Sequence, residues 1–224
     1  MTIPVITIDG PGGVGKGTLA HQLATHLTWH YLDSGALYRV LAIAAKNAGL
    51  LLEQEERIAQ LALEIHIAFE IDAEHNVLVT LDQVNVTHEL RLEETATFAS
   101  KISALPAVRA NLLQRQKDFR TAPGLVTDGR DMGTVVFPDA KVKFFLTASP
   151  EERAKRRANQ LMQQGINVNL TNLIAEITER DNRDANRVIS PLKPAHDGVV
   201  IDTTHLDQKA VFDKALEYLR QKGL

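Results

Sequence analysis

The chain has 224 residues, 44% of them hydrophobic and 24% charged, enough for a sizeable core and against global disorder, so one large domain or a core with a modest insert is expected. With 25 basic and 28 acidic side chains and a formal net charge of −3, neither nucleic acid nor an anionic membrane is expected as the main partner, and any anion site must be local. There is no cysteine, which excludes disulfide stapling, thiolate zinc sites and a cysteine nucleophile. Met1 to Gly10 has no basic region, and its apolar run, Val5 to Ile8, is too short for a signal peptide. No run approaches the roughly 18 apolar residues of a membrane span. A cytoplasmic protein is expected.

Taken in chain order, Ile3 to Ile8 reads as a buried strand. It runs directly into Gly10-Pro11-Gly12-Gly13-Val14-Gly15-Lys16-Gly17-Thr18, which is followed by the helical spacing Leu19, Leu23, Leu27. This is a Walker A loop in its required context of strand, loop and helix. Glycines let backbone N–H groups turn inward around phosphate oxygens, the helix start adds its positive end, and Lys16 reaches the outer phosphates. The plain alternative is a Gly-rich turn with a surface lysine. After Lys16 stands Gly17, where many such loops carry a metal-binding hydroxyl, and the hydroxyl comes one residue later at Thr18. Magnesium is therefore expected to ride mainly on nucleotide phosphates and water.

A second strand is expected to end at Leu32-Asp33, with Ser34 capping the next helix. The segment Leu32 to Arg39 offers that hydroxyl and then an arginine one turn on, although an ordinary capped helix start would look the same. From Ile65 to Val86 the period changes to two, with Ile65, Ile67, Phe69, Ile71 and then Val77, Val79, Leu81 around Ala73 to Asn76. This predicts antiparallel strands joined by a turn, a small inserted subdomain. Ala122-Pro123-Gly124 leads into a buried strand, Leu125 to Thr127, and two more follow at Val142 to Thr147 and Val199 to Ile201. Strands alternating with amphipathic helices predict a parallel sheet with helices on both faces.

Ligands bind beyond the carboxyl ends of such strands. After Thr127 come Asp128-Gly129-Arg130-Asp131-Met132-Gly133-Thr134, three charges that cost desolvation unless paired or bound to a ligand. An internal Asp–Arg pair closing the loop is the structural alternative. In the helix after Ser149-Pro150, Arg153, Arg156 and Arg157 share one face, suited either to a triphosphate or to solvent. Gln163 to Asn167 breaks this helix, as a flap would require. From Leu170 to Arg187 the apolar stripe Leu170, Leu173, Ile174, Ile177 continues into Asp184, with Arg180 and Arg187 on its edge and Arg183 pointing away. That gives an Arg180–Asp184–Arg187 ladder, with a solvated salt-bridge row as the alternative.

Together, residues 10–18, Leu32-Asp33-Ser34-Gly35-Ala36-Leu37-Tyr38-Arg39, Asp128 to Thr134 and Arg180-Asp181-Asn182-Arg183-Asp184-Ala185-Asn186-Arg187 make the chain resemble the bacterial cytidylate kinase family. That family is a branch of the nucleoside monophosphate kinases among P-loop proteins. The resemblance covers almost the whole chain. It implies an α/β fold with five parallel strands, a small antiparallel insert in the monophosphate-binding region, and a short lid. The expected division is a single kinase domain over 1–224, with core segments 1–34, 100–149 and 185–224. The monophosphate-binding region would occupy 35–99, with the insert near 65–86, and the lid 150–170.

Carried over residue by residue, the resemblance assigns ATP to Gly10, Pro11, Gly12, Gly13, Val14, Gly15, Lys16, Gly17 and Thr18. It gives the acceptor phosphate to Ser34, Arg39, Arg130 and Arg187. Ser100, Arg109 and Asp131 look like the cytosine-reading set, and Arg180 and Asp184 like the sugar contacts. The expected reaction is transfer of the ATP γ-phosphoryl group to CMP and dCMP, with magnesium (Mg2+) carried by the donor. Lys16, Arg130, Arg187, Arg153 and Arg157 would offset charge at transfer, and Asp128 would hold metal waters, with no direct metal ligand expected. Another small-acceptor kinase, or a non-catalytic P-loop switch, is the alternative; against the switch, no Asn-Lys-x-Asp motif occurs. Expected partners are small-molecule nucleotides, with no nucleic acid and no membrane, and the protein is expected to be a monomer.

Overall fold

The computed structural model of the chain describes residues 2–71, 77–163 and 165–224. The elements follow in the order β1 (Val5–Asp9), α1 (Lys16–Leu27), β2 (His30–Asp33), α2 (Ser34–Asn47), α3 (Glu55–Glu64), β3 (Ile67–Ile71), β4 (Val77–Leu81) and β5 (Val84–Asn85). After these come α4 (Glu93–Ile102), α5 (Pro106–Asp118), β6 (Leu125–Gly129), β7 (Val142–Thr147), α6 (Pro150–Gln163), α7 (Leu170–Ala185), β8 (Val199–Asp202) and α8 (Gln208–Gln221). They fall into two compact units: Met1–Leu32 with Phe119–Leu224, and Asp33–Asp118.

A five-stranded parallel sheet has the order β2-β6-β1-β7-β8. All five residues of β1 and of β6 are buried, because a central parallel strand is covered on both faces and reads as a nearly continuous apolar run. Register pairs Val5 with Leu125 and Ile6 with Val142. This aligns the carboxyl ends of β1 and β6, with Asp9 opposite Gly129. The core of this unit joins Ile6 and Ile8 of β1 and Phe144 of β7 to Leu19 and Leu23 of α1 and Val211, Ala215 and Leu219 of α8. The five parallel strands expected from the sequence are observed.

The second unit is built on α2, whose residues Val40 to Ala45 are all buried, so this helix is apolar almost all round. Around it gather Ile58 and Ala62 of α3, Ile102 of α4 and Val108 and Leu112 of α5. Asn111 donates to the Ala59 carbonyl at 2.7 Å, and Arg115 donates to the Ala62 and Ile65 carbonyls. These bonds tie α5 to α3 within the unit, which runs to Asp118. The antiparallel insert is present as β3-β4-β5, with Ile67 opposite Leu81. The expected turn at Ala73 to Asn76 lies outside the described residues, as does Gln164 in the break after α6. The third strand, β5, was not legible. It is reached by Asp82 and Gln83, both with positive φ (48° and 69°), a tight turn of the kind usually marked by Asn-Gly. The sequence carries no glycine there to signal it.

Candidate functional site

The Gly10–Thr18 loop leaves β1 under steric constraint. At Gly10, with φ of 148°, a Cβ would stand 2.2 Å from the Leu146 carbonyl oxygen of β7, so the strand end admits only glycine. Gly13 and Gly15 take the positive φ values that turn the loop into α1. Gly15 caps α1 without a side-chain bond, and helix-start amides of this kind are suited to an anion. The Lys16 side chain is 7% exposed and its Nζ donates to the Pro11 carbonyl at 2.7 Å, which holds the ammonium across its own loop. Thr18, the hydroxyl one place late, is exposed.

Arg153, Arg156 and Arg157 share a helical face but not an environment. Arg153 is 2% exposed. Its Nε donates to the Ala148 carbonyl at 3.0 Å and its Nη1 to the Gly12 carbonyl and Asp181 Oδ1, both at 3.1 Å, while its Nη2 pairs with the other Asp181 oxygen. It is thus an internal strut beneath the loop, where a set of three phosphate-facing lid cations was expected. Arg156 donates to the Thr203 carbonyl at 2.6 Å and pairs with Glu152. Arg157 is half-buried.

Of the charges after β6, Arg130 reaches out of its own loop. Arg130 Nε donates to Asp184 Oδ2 of α7 at 2.9 Å, and Arg187 Nη2 pairs with the other Asp184 oxygen. Beyond the internal Asp–Arg pair considered from sequence, Arg130 thus makes a pair that spans 54 residues. Asp184 is 1% exposed, which also disposes of a solvated ladder. Burial by itself would raise its carboxyl, but Arg130 and Arg187, with Arg180 behind them, outweigh that and hold it below the usual carboxylate range. Arg183 is exposed and pairs with Glu179, on the far side as expected. Of the apolar stripe, Leu173 is buried and Leu170 is exposed.

Asp128 is buried and its Oδ1 accepts from the Tyr31 hydroxyl at 2.8 Å. The same hydroxyl lies 3.6 Å from where a Cβ on Gly17 would be. Asp131 is also buried. It precedes a π-helical turn, Met132–Val136, whose first amides, Met132 N and Gly133 N, donate to Asp9 at 2.9 and 2.8 Å. Asp9 is 4% exposed, and burial pushes its carboxyl up to about 6 even though these two bonds and Lys16 oppose that. Sequence reasoning passed over Asp9, Tyr31 and Asp181. The signal for Asp9 was a lone charge closing an otherwise uncharged central strand. Tyr31 and Asp181 gave none.

In the Asp33–Asp118 unit, Asp33 and not Ser34 caps α2, accepting from Ala36 N at 3.1 Å. Ser34 is the first residue of the helix and is buried. Arg39 is half-buried and, among the described residues, has no hydrogen bond or ion pair. Ser100 Oγ is likewise buried without a hydrogen-bond partner among the described residues. Arg109 is 8% exposed; its Nη1 donates to the Ser103 carbonyl at 3.0 Å and its guanidinium lies 5.8 Å from the centre of the Tyr38 ring. Ser34, Arg39, Ser100 and Arg109 therefore belong to one unit, and the loop, Asp128, Arg130, Asp131, Arg153, Arg157, Arg180, Asp184 and Arg187 to the other.

A Walker A loop leaving the central strand of a parallel sheet, with a guanidinium pair held by Asp184 in the same unit, defines a P-loop nucleotide-binding protein of the kinase kind. The family profile described as Cytidylate kinase matches residues 6–221. A cytidylate kinase of Shewanella denitrificans is 54% identical over 218 residues, 97% of this chain and 96% of that protein. One from Klebsiella pneumoniae is 53% identical over 220 residues, 98% of this chain and 96% of that protein. The solved structure of a gluconokinase from Sinorhizobium meliloti, 12% identical with a TM-score of 0.50, covers 98% of this chain and 93% of that one, a likeness of fold alone. The chain belongs to the cytidylate kinase family.

Proposed function

We propose that the protein transfers the γ-phosphoryl group of ATP to CMP, and to dCMP, giving the nucleoside diphosphate and ADP. The observation that carries this reading is the pairing of two kinds of anion site in one unit: a phosphate loop around a buried lysine, and Arg130 with Arg187 bridged by a buried Asp184. A donor needs the first. An acceptor that is itself a phosphate needs the second, since forked guanidinium groups fit phosphate oxygens.

The chemistry asks for little beyond placement. A phosphate monoester with a second pKa near 6 is already largely ionised at pH 7, so the nucleophilic oxygen needs no general base. Lys16 and the amides at the start of α1 hold the outer phosphates of the donor. Arg130 and Arg187 hold the acceptor's phosphate, and their guanidinium groups offset charge on the equatorial oxygens at transfer; Ser34 and Arg39 are the phosphate-binding candidates of the Asp33–Asp118 unit. Asp184 orients both arginines, which adds to its expected role at the sugar with Arg180. Asp131 is the base-reading carboxylate of its unit, able to accept from cytosine's exocyclic amino group. In the Asp33–Asp118 unit Ser100 and Arg109 are the base-reading candidates, a guanidinium being able to donate to the ring acceptors. Among the described residues the Ser100 hydroxyl and Arg39 have no partner, which supports reading them as ligand contacts.

Magnesium supplies charge neutralisation of the donor phosphates when bound. The residues fit a nucleotide-borne ion held through water. Among the described residues no group of three His, Cys, Asp or Glu side chains could hold a metal, Gly17 offers no hydroxyl, and Asp128 provides one oriented carboxylate. Arg157, a half-buried member of the lid set, closes over the donor, while Arg153 supports the loop from beneath. No helix among the described residues is long and apolar enough to cross a membrane. ADP formation from ATP and magnesium against a panel of CMP, dCMP, UMP, AMP and GMP tests the reading. Rapid turnover on CMP and dCMP is expected, and ADP release independent of acceptor would overturn it.

A further inference from the structure

We infer that Asp9 is a positioning residue for base selection, which sets the aim of Asp131 through the backbone that follows it. The inference rests on the reading of Asp131 as the cytosine-contacting carboxylate.

Asp9 is held hard in place. It closes β1, pairs in register with Gly129 of β6 and Phe145 of β7, and precedes Gly10, whose backbone lies against the Leu146 carbonyl. Both oxygens of its carboxylate are committed to one short stretch of chain, Oδ1 to Met132 N at 2.9 Å and Oδ2 to Gly133 N at 2.8 Å. These are the first amides of a helical turn, which find no acceptor within the turn. Two bonds to successive amides fix the planes of the 131–132 and 132–133 peptides. The first of those planes carries the carbonyl of Asp131, so its orientation sets where the Asp131 side chain departs. The close fit is visible at Gly133, where an added Cβ would stand 2.7 Å from Thr7 Oγ1 of β1. The turn therefore packs directly on the strand that feeds the phosphate loop.

A buried carboxylate is a costly way to tie a backbone segment, and burial does raise Asp9. An asparagine is the cheaper residue but offers one acceptor and one donor, so one of the two amides would face an N–H group. Two acceptors from one rigid position are what a carboxylate uniquely supplies. Because Asp9 and Lys16 sit at the two ends of the same loop, this tie refers the base-reading carboxylate to the donor site without touching either nucleotide.

The experiment compares Asp9→Asn, Asp131→Ala and the double variant, each confirmed folded by circular dichroism and thermal unfolding. The readouts are kcat/KM for CMP and for UMP, and KM for ATP. Asp9→Asn is expected to lower the CMP:UMP ratio about tenfold, the scale of effect that displacement of a reacting group by a fraction of an ångström produces. KM for ATP should move less than about threefold, and the double variant should show no lower ratio than Asp131→Ala alone, because both changes act through one contact. Should Asp9→Asn fail to fold, Asp9→Ser, which keeps a hydroxyl acceptor without an opposing amide, carries the same readout. A folded Asp9 variant with a wild-type CMP:UMP ratio overturns the inference, as does a ratio that falls additively in the double variant. If Asp131→Ala itself leaves the ratio unchanged, the base-reading role of Asp131 fails first and the role of Asp9 falls with it.

Discussion

Asp184→Ala removes the carboxylate that bridges Arg130 and Arg187, and its cost can be worked from the surroundings. Asp184 is 1% exposed, and the Arg187 and Arg130 side chains are 7% and 19% exposed, so solvent screening of the pair is slight. Deleting one partner of a buried pair costs about 3–5 kcal/mol, because the remaining charges lose their compensation. Arg130 retains a bond to the Gly129 carbonyl at 3.2 Å, which favours the lower end, about 3 kcal/mol. For a chain of this size each kcal/mol moves Tm by about 2–4 °C, so the variant should melt about 6–12 °C lower. Asp184→Asn keeps the shape and one acceptor and should fall between.

The pH dependence gives a second, independent reading. The folded carboxyl lies below its ordinary value of 3.8, so the unfolded chain takes up the proton first on acidification. The stability that the ionised group contributes is fully present at neutral pH and is lost as pH falls below about 4 through the folded value. The gap between wild type and Asp184→Asn should therefore be constant from pH 7 to 5 and close in acid. In steady-state assays kcat/KM for CMP should fall at least about tenfold with KM for ATP little changed, if the two guanidinium groups whose orientation is lost hold the acceptor's phosphate as proposed. Calorimetry showing an unchanged Tm for a folded Asp184→Ala, together with unaltered CMP kinetics, would refute the reasoning.

Lys16→Ala should cut turnover by about two to three orders of magnitude, the scale of one charge-stabilising donor in a dry site, with Tm nearly unchanged; near-wild-type turnover would remove the donor role. Arg153→Ala should lower Tm markedly, by about the amount of a broken buried pair, whereas Arg157→Ala should lower kcat and lower Tm less than Arg153→Ala does. Equal behaviour of the two in parallel melts and assays would contradict the division between strut and lid. Asp9, raised to about 6 from 3.8 when folded, binds its proton more tightly in the native state, so its ionisation should reduce stability by about 3 kcal/mol as pH rises from 4 to 6 and by nothing further above that. Urea unfolding across that range should show a flatter profile for Asp9→Asn, and superimposable profiles would exclude the assignment.

The parallel sheet and the phosphate loop were readable because their signals are local. A central strand must be apolar on both faces, a loop that cradles phosphate must be rich in glycine, and both follow one another along Val5 to Leu27. Period-two alternation from Ile65 likewise announced an antiparallel pair. Local signals failed where the physics is not local. The turn at Asp82-Gln83 adopts positive φ with no glycine to mark it, so β5 stayed hidden, and Asp33 took the capping position that Ser34 had seemed to fill. Arg153, Arg156 and Arg157 have one helical spacing, and only packing decides that the first is buried beneath Gly12 while the third stays half-exposed. The same holds for Asp184: a helical wheel puts it on the apolar side beside arginines close to it in sequence, but one of its two oxygens is held by Arg130, brought from 54 residues away. A residue type and a spacing can state that a charge needs compensation. Which charge supplies it depends on the tertiary fold, because ion pairs are set by distance in space and the chain brings β6 and α7 together only when the sheet is built.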